Sequence, residues 1–143
     1  MARSPAPRPF KLTQPSVREH SLQAQIARML SLELAPPGRV SRDGVIWWSC
    51  DIADYGGAVP GTRMGRGIIA GVPDVYLLHL GRAYHIEIKT DAPHSVLSEA
   101  QRSVAAGILV CGGHMAVARD AVEVLAALDT WGIPRNRRTR FAA

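Results

Sequence analysis

The sequence predicts a mixed α/β domain, a sheet covered by helices, and three observations carry that expectation. Two apolar, strand-like runs, Val75–Leu80 and Ala83–Thr90, flank the dipeptide Gly81-Arg82 in the pattern of a β-hairpin. Two capping-box pairs, Ser16 with Glu19 and Ser98 with Gln101, head stretches with helical apolar spacing. Helical and strand-like periodicities alternate along the chain rather than segregating, in the order α-β-β-β-α-β-α.

Each element follows from local chemistry. After Ser16 and Glu19, Leu22, Ile26, Met29 and Leu30 recur at helical spacing until about Leu34, where Pro36-Pro37-Gly38 ends the helix. Val45–Cys50 is β-branched and aromatic and reads as a strand. Residues 51–70 carry five glycines and read as a long ordered loop, a length uncommon without a role. The hairpin follows, then the helix headed by Ser98, which runs to Gly112-Gly113. "HMAVA" is a short strand, and Asp120 caps a last helix that closes at Gly132 and Pro134.

At 143 residues, 47% hydrophobic and 20% charged, the chain has the makings of one domain with a single core. No apolar run is long enough to cross a bilayer, and the N-terminus lacks the apolar stretch of a signal peptide. Cys50 and Cys111 are far apart in sequence, outside any Cys-x-x-Cys pattern. They read as two buried free thiols, which fits a reducing cytoplasm. The net charge of +5 is unevenly placed: residues 1–15 carry +3 and residues 134–143 carry +4, leaving −2 for residues 16–133. The expected organisation is therefore a basic N-terminal tail (1–15), a folded domain (16–133) and an Arg-rich C-terminal tail (134–143). Such arms suit a polyanion, or serve only as solvated ends.

Within the hairpin, charge stands where a buried strand should have none. A two-residue loop at Gly81-Arg82 pairs Leu80 with Ala83, sets Asp74 opposite Lys89, and sets Tyr76 opposite Glu87. Alternation then gathers Asp74, Glu87 and Lys89 on one face, with Ile86 and Ile88 on the other. The chain holds fifteen Arg and two Lys, and Lys89 is the only Lys outside the N-terminal tail. A lone Lys among so many Arg points to a job for a compact, tunable cation that guanidinium cannot fill. Two neighbouring carboxylates repel unless a cation lies between them. Oxygen donors suit Mg²⁺ or Mn²⁺, and two acids, a divalent metal and a Lys are the parts of a phosphodiester hydrolase. The plain alternative is a salt bridge at a strand end.

"GVPDVYLL", "HIEIK" and "LSEAQ", with "EHSLQ" upstream, resemble the VRR-NUC (virus-type replication–repair nuclease) family of the PD-(D/E)xK nuclease superfamily. The resemblance spans roughly Ser16 to Trp131. It implies a restriction-endonuclease-like fold and a metal-dependent deoxyribonuclease acting on branched or flapped DNA in replication or repair. Asp74 and Glu87 match the metal ligands, and Lys89 matches the catalytic lysine. The main-chain carbonyl of Ile88 is a further implied ligand. Glu19 matches the acid of the first helix, and Gln101 a glutamine near the site. Stand-alone members are expected to work as homodimers. Two surfaces offer themselves for pairing: Val104, Ile108 and Leu109 on the second helix, and the Trp47–Trp48 strand. A sequence-specific endonuclease and a non-catalytic DNA-binding module remain the alternatives.

Other residues have weaker claims. Gln23, one turn from Glu19, is placed to join the site. Arg63 and Arg66 in the long loop, and Arg135, Arg137, Arg138 and Arg140 in the tail, are candidate phosphate contacts. His79 and His85 read as structural or surface histidines, although His85 shares the face of Glu87. Of Trp47 and Trp48, one must face away from the core, and an exposed Trp can stack on a base.

Overall fold

The structure is a computed structural model that describes residues 17–50, 65 and 67–136. The Ser16 cap, Arg63 and Arg66, and Arg137, Arg138 and Arg140 lie outside the described residues, as does most of the long loop. Among the described residues, the elements come in the expected order: α1 (Val17–Glu33), β1 (Val45–Ser49), β2 (Val75–His79), β3 (Arg82–Ile88), α2 (Glu99–Val110), β4 (His114–Ala118) and α3 (Ala121–Thr130). The class is mixed α/β. Among the described residues no helix is long and apolar enough to cross a membrane.

The four strands lie in sequence order across one sheet. β1, β2 and β3 are successively antiparallel, and β4 returns parallel to β3 after the α2 crossover. One sheet face is apolar. Val45, Trp47, Val75, Leu77, Tyr84, Ile86 and Ile88 pack there against Ile26 and Leu30 of α1 and Val124, Leu125 and Leu128 of α3. Burial of this many large side chains, at about 1.5–3 kcal/mol each, drives the layer together. The indole N–H of Trp47 donates to the Ala35 carbonyl at 2.7 Å, so the largest core ring leaves no orphan donor.

The hairpin turn differs from expectation. His79 pairs with Arg82, so the loop is Leu80-Gly81 rather than Gly81-Arg82. Both loop residues have positive φ, 49° at Leu80 and 74° at Gly81, as a turn matched to the strand twist requires. Glycine takes that conformation freely. Leucine does so only under strain, and its presence hid the turn.

The outer edge of β1 is engaged by the segment before it. Gly38 N–H donates to the Trp47 carbonyl and Ser41 N–H to the Val45 carbonyl, both at 2.8 Å. Val45 N–H donates to the Ser41 hydroxyl at 3.0 Å. At the other end of the chain, Asn136 N–H donates to the Glu33 carbonyl, and its side-chain amide donates to the carbonyls of Leu32 and Leu34. The three carbonyls it meets are orphan acceptors of the α1 C-terminus.

The thiols correct one expectation. Both are free, but Cys50 is only partly buried and Cys111 is exposed. Cys111 is the C-cap of α2, a helix with no fully buried residue, so no core surrounds it.

Candidate active site

β3 is buried from Tyr84 to Ile88, with β2 and β4 flanking it and the apolar layer of α1 and α3 on one face. Its alternation therefore places Glu87 inside the protein, 2% exposed, on the face opposite Ile86 and Ile88. Lys89 follows two residues later on the same side, 9% exposed, with Nζ 3.3 Å from Glu87 Oε1.

Asp74 reaches this pair from β2. The observed register sets Val75 opposite Ile86, and one further step sets Asp74 opposite Glu87, not opposite Lys89 as the expected turn required. The shift is two residues, and an even shift preserves the face. Asp74, Glu87 and Lys89 therefore still share one side of the sheet. Asp74 is fixed at both carboxylate oxygens: Ile88 N–H donates to Oδ2 at 2.7 Å, and Gln23 Nε2 donates to Oδ1 at 3.2 Å. Continuing the register places Pro73 opposite Ile88. The Asp74 side chain takes the Ile88 amide where the ladder ends.

Gln101 performs two tasks with one amide. Its oxygen accepts from Ser98 N–H at 2.8 Å, completing the capping box of α2, and its nitrogen donates to Glu87 Oε1. The cap thus aims the amide at the carboxylate. Gly71 brings the Asp74 segment against the same helix start. A Cβ built on Gly71 would lie 2.4 Å from the carbonyl carbon and oxygen of Ala100, and its φ is +88°. Only glycine meets both conditions.

The electrostatics follow from burial. Desolvation, the charge of Asp74 and, more weakly, that of Glu19 push the Glu87 carboxyl up to about 7; Lys89 opposes them by charge and hydrogen bond. Among the described residues, Glu87 Oε2 is the one buried side-chain polar atom with no hydrogen-bond partner. An orphaned, buried carboxylate oxygen between an acid and a lysine is what a small hard cation would satisfy. The donor set, all oxygen, fits Mg²⁺ or Mn²⁺ in kind. Among the described residues no three His, Cys, Asp or Glu side chains converge closely enough to enclose an ion. Asp74 and Glu87 are the core of the site, and Glu19 is felt there through its field.

His85, buried and on the face of Glu87, donates from Nδ1 to the His114 carbonyl at 3.1 Å, and burial lowers its pKa. The ring is buried and held by that bond, edge-on to Tyr76. His79 Nδ1 lies 3.1 Å from the Gly44 carbonyl, away from the carboxylates. Arg135 is already occupied: it forks onto Asp129 at 3.0 and 2.9 Å and reaches Glu33 at 3.1 Å. These bonds tie the chain end to two helices.

One contributor escaped the sequence reading. Arg119 donates to the carbonyls of Thr90 and Ser95, clamping the segment that follows Lys89. Its own N–H is held by Glu123 at 2.7 Å. A lone Arg after a short strand carries no sequence signal for such a clamp. Family models, curated proteins and solved structures were each compared with the chain, and none matches.

Proposed function

We propose that the protein is a divalent-metal-dependent deoxyribonuclease of the VRR-NUC kind, on a restriction-endonuclease-like fold, acting on branched or flapped DNA. The observation that carries this reading is the grouping on one sheet face of Asp74, Glu87 and Lys89, with Glu87 Oε2 buried and unmatched.

Asp74, Glu87 and the Ile88 carbonyl would hold Mg²⁺ or Mn²⁺, with Glu19 completing the shell directly or through water. The metal supplies Lewis acidity and an easily deprotonated water. The remaining work belongs to the chain. Gln23 and Gln101 fix the two carboxylates by donating to one oxygen of each. Ile88 N–H holds Asp74 Oδ2 in place. Lys89 offsets charge gathering on the scissile phosphate or orients the attacking water. Its stem is buried, so its ammonium is delivered to one point. A dimer would present two such sites to opposing strands, and Leu109 and Val110 leave an apolar patch exposed on α2.

The Lys89–Glu87 ion pair favours a second reading, a DNA-binding module whose carboxylates are structural. One experiment separates them: single-stranded, duplex, flapped and four-way DNA are incubated with Mn²⁺ and, in parallel, with a chelator. A nuclease cuts at least one substrate with the metal and none with the chelator. Binding without cutting under every condition selects the module.

A further inference from the structure

Next to the carboxylates lies an aromatic row that the proposed chemistry does not use. Trp48, Tyr76 and His85 are cross-strand partners on β1, β2 and β3. Tyr76 and Trp48 stack with ring centroids 4.9 Å apart and planes 15° apart. Tyr76 meets His85 edge-on at 4.2 Å and 83°. By alternation these rings share the face of Asp74 and Glu87, one row further along the strands, a step of roughly 7 Å.

The row runs from buried to open. His85 is 5% exposed, Tyr76 is half-buried and Trp48 is 36% exposed. Tyr76 covers one face of the indole. An exposed tryptophan in a soluble protein needs no explanation alone. One braced by a stacked tyrosine, whose other neighbour is a buried, hydrogen-bonded histidine, is a rigid, pre-set flat surface. It continues the proposed phosphodiester site without a break.

We propose that Trp48, backed by Tyr76, stacks an unpaired nucleobase of the strand whose phosphodiester enters the Asp74–Glu87–Lys89 site. This rests on the nuclease reading and sharpens it. Bases inside a duplex have both faces covered by their neighbours, so only a base that has left its stack presents a face to Trp48. Flaps, gaps and junction arms offer such bases, and intact duplex does not. Selectivity for branched DNA then follows from an aromatic ring beside the carboxylates, with no base-edge readout. Stacking tolerates any base, so the sequence of the strand is left unread.

The test is binding in the presence of a chelator, where no cleavage intervenes. Fluorescence anisotropy compares a labelled single strand, a flap, a blunt duplex and a single-strand series with one abasic nucleotide at successive positions. Trp48→Ala should weaken single-strand and flap binding by roughly five- to hundredfold and leave the duplex unchanged. Trp48→Phe should retain most of the affinity. With the wild-type protein, an abasic nucleotide at one position should cost a similar factor, and the same substrate should cost Trp48→Ala nothing more. An unaltered single-strand affinity in Trp48→Ala overturns the proposal, as does equal loss on duplex and single strand. A change in sedimentation of the DNA-free Trp48→Ala protein also overturns it, since the face would then join two copies. Wild-type protein that never cuts with Mn²⁺ removes the nuclease reading while these binding results stand on their own.

Discussion

The amide of Gln101 hydrogen-bonds Glu87 with its nitrogen and the Ser98 backbone with its oxygen, so the cap of α2 and the buried carboxylate share one side chain. Gln101→Ala should therefore show two losses of different size. The cap half is worth about 0.5–1 kcal/mol of stability, and the site half should appear as weaker Mn²⁺ binding. Urea unfolding and metal titration on the same protein separate them. Normal metal affinity in the variant would confine Gln101 to capping.

Asp74→Ala should abolish cleavage while DNA binding survives or tightens, because a negative charge leaves the site. Lys89→Ala should still bind metal but cut at least roughly a hundredfold more slowly. Lys89→Arg should rescue little, since a planar guanidinium cannot occupy the point an ammonium fills. Full activity in Asp74→Ala, or in excess chelator, would end the nuclease assignment.

Glu87 gives the metal-free protein a pH signature. The unfolded chain loses this proton near 4.5, whereas the folded protein holds it to about 7. Between those values the native state binds more protons than the unfolded state. The contribution is complete below about 4.5 and is lost as pH rises through about 7, by a total on the order of 3 kcal/mol. Urea midpoints in chelator at pH 5 to 8, for wild type against Glu87→Gln, isolate it. The stability of wild type relative to the variant should fall with pH, and a rise would contradict the burial of Glu87.

Leu80 is 85% exposed and holds φ at 49°. Leu80→Asn gives the turn the residue it favours and should stabilise the fold by about 0.5–1 kcal/mol. Thermal unfolding reads this directly. A loss of stability would show that the leucine packs in solution.

The chain end should be trimmed after Asn136 rather than after Ile133. Removing residues 1–15 and 137–143 takes away six cations and spares the Arg135 and Asn136 ties. Each removed cation that had neutralised a phosphate should lower the slope of log K against log salt by roughly 0.9 on duplex DNA. Cutting at 134 should also lower the unfolding temperature, because buried Glu33 is then deprived of the Arg135 guanidinium. An unchanged salt slope would make both tails solubilising ends.

What the sequence disclosed depended on how local the cause was. Ser98 and Gln101 sit three residues apart, and the capping box they spell is present as read. The common face of Asp74, Glu87 and Lys89 survived a wrong turn because alternation ignores even register shifts. Long-range causes were hidden. Gln23 meets Asp74 across 51 positions and Arg135 meets Glu33 across 102, and no spacing rule reaches that far. Which of Trp47 and Trp48 faces the core was likewise open, since adjacent strand residues differ only in which side the helices cover.

The bonds that Gly38, Ser41 and Val45 make along the free side of β1 carry a consequence for how copies of the protein can meet. A bare strand margin invites another strand to zip onto it, the route to fibrils and to continuous intermolecular sheets. Here the outward carbonyls of Val45 and Trp47 are already taken by the chain's own backbone. With those acceptors taken, an incoming strand finds no row of open carbonyls there, which guards the molecule against edge-to-edge joining of sheets at high concentration. It also means that any pairing of two copies on this strand must go through the exposed face of Trp48, side chain against side chain, because Trp47 is buried.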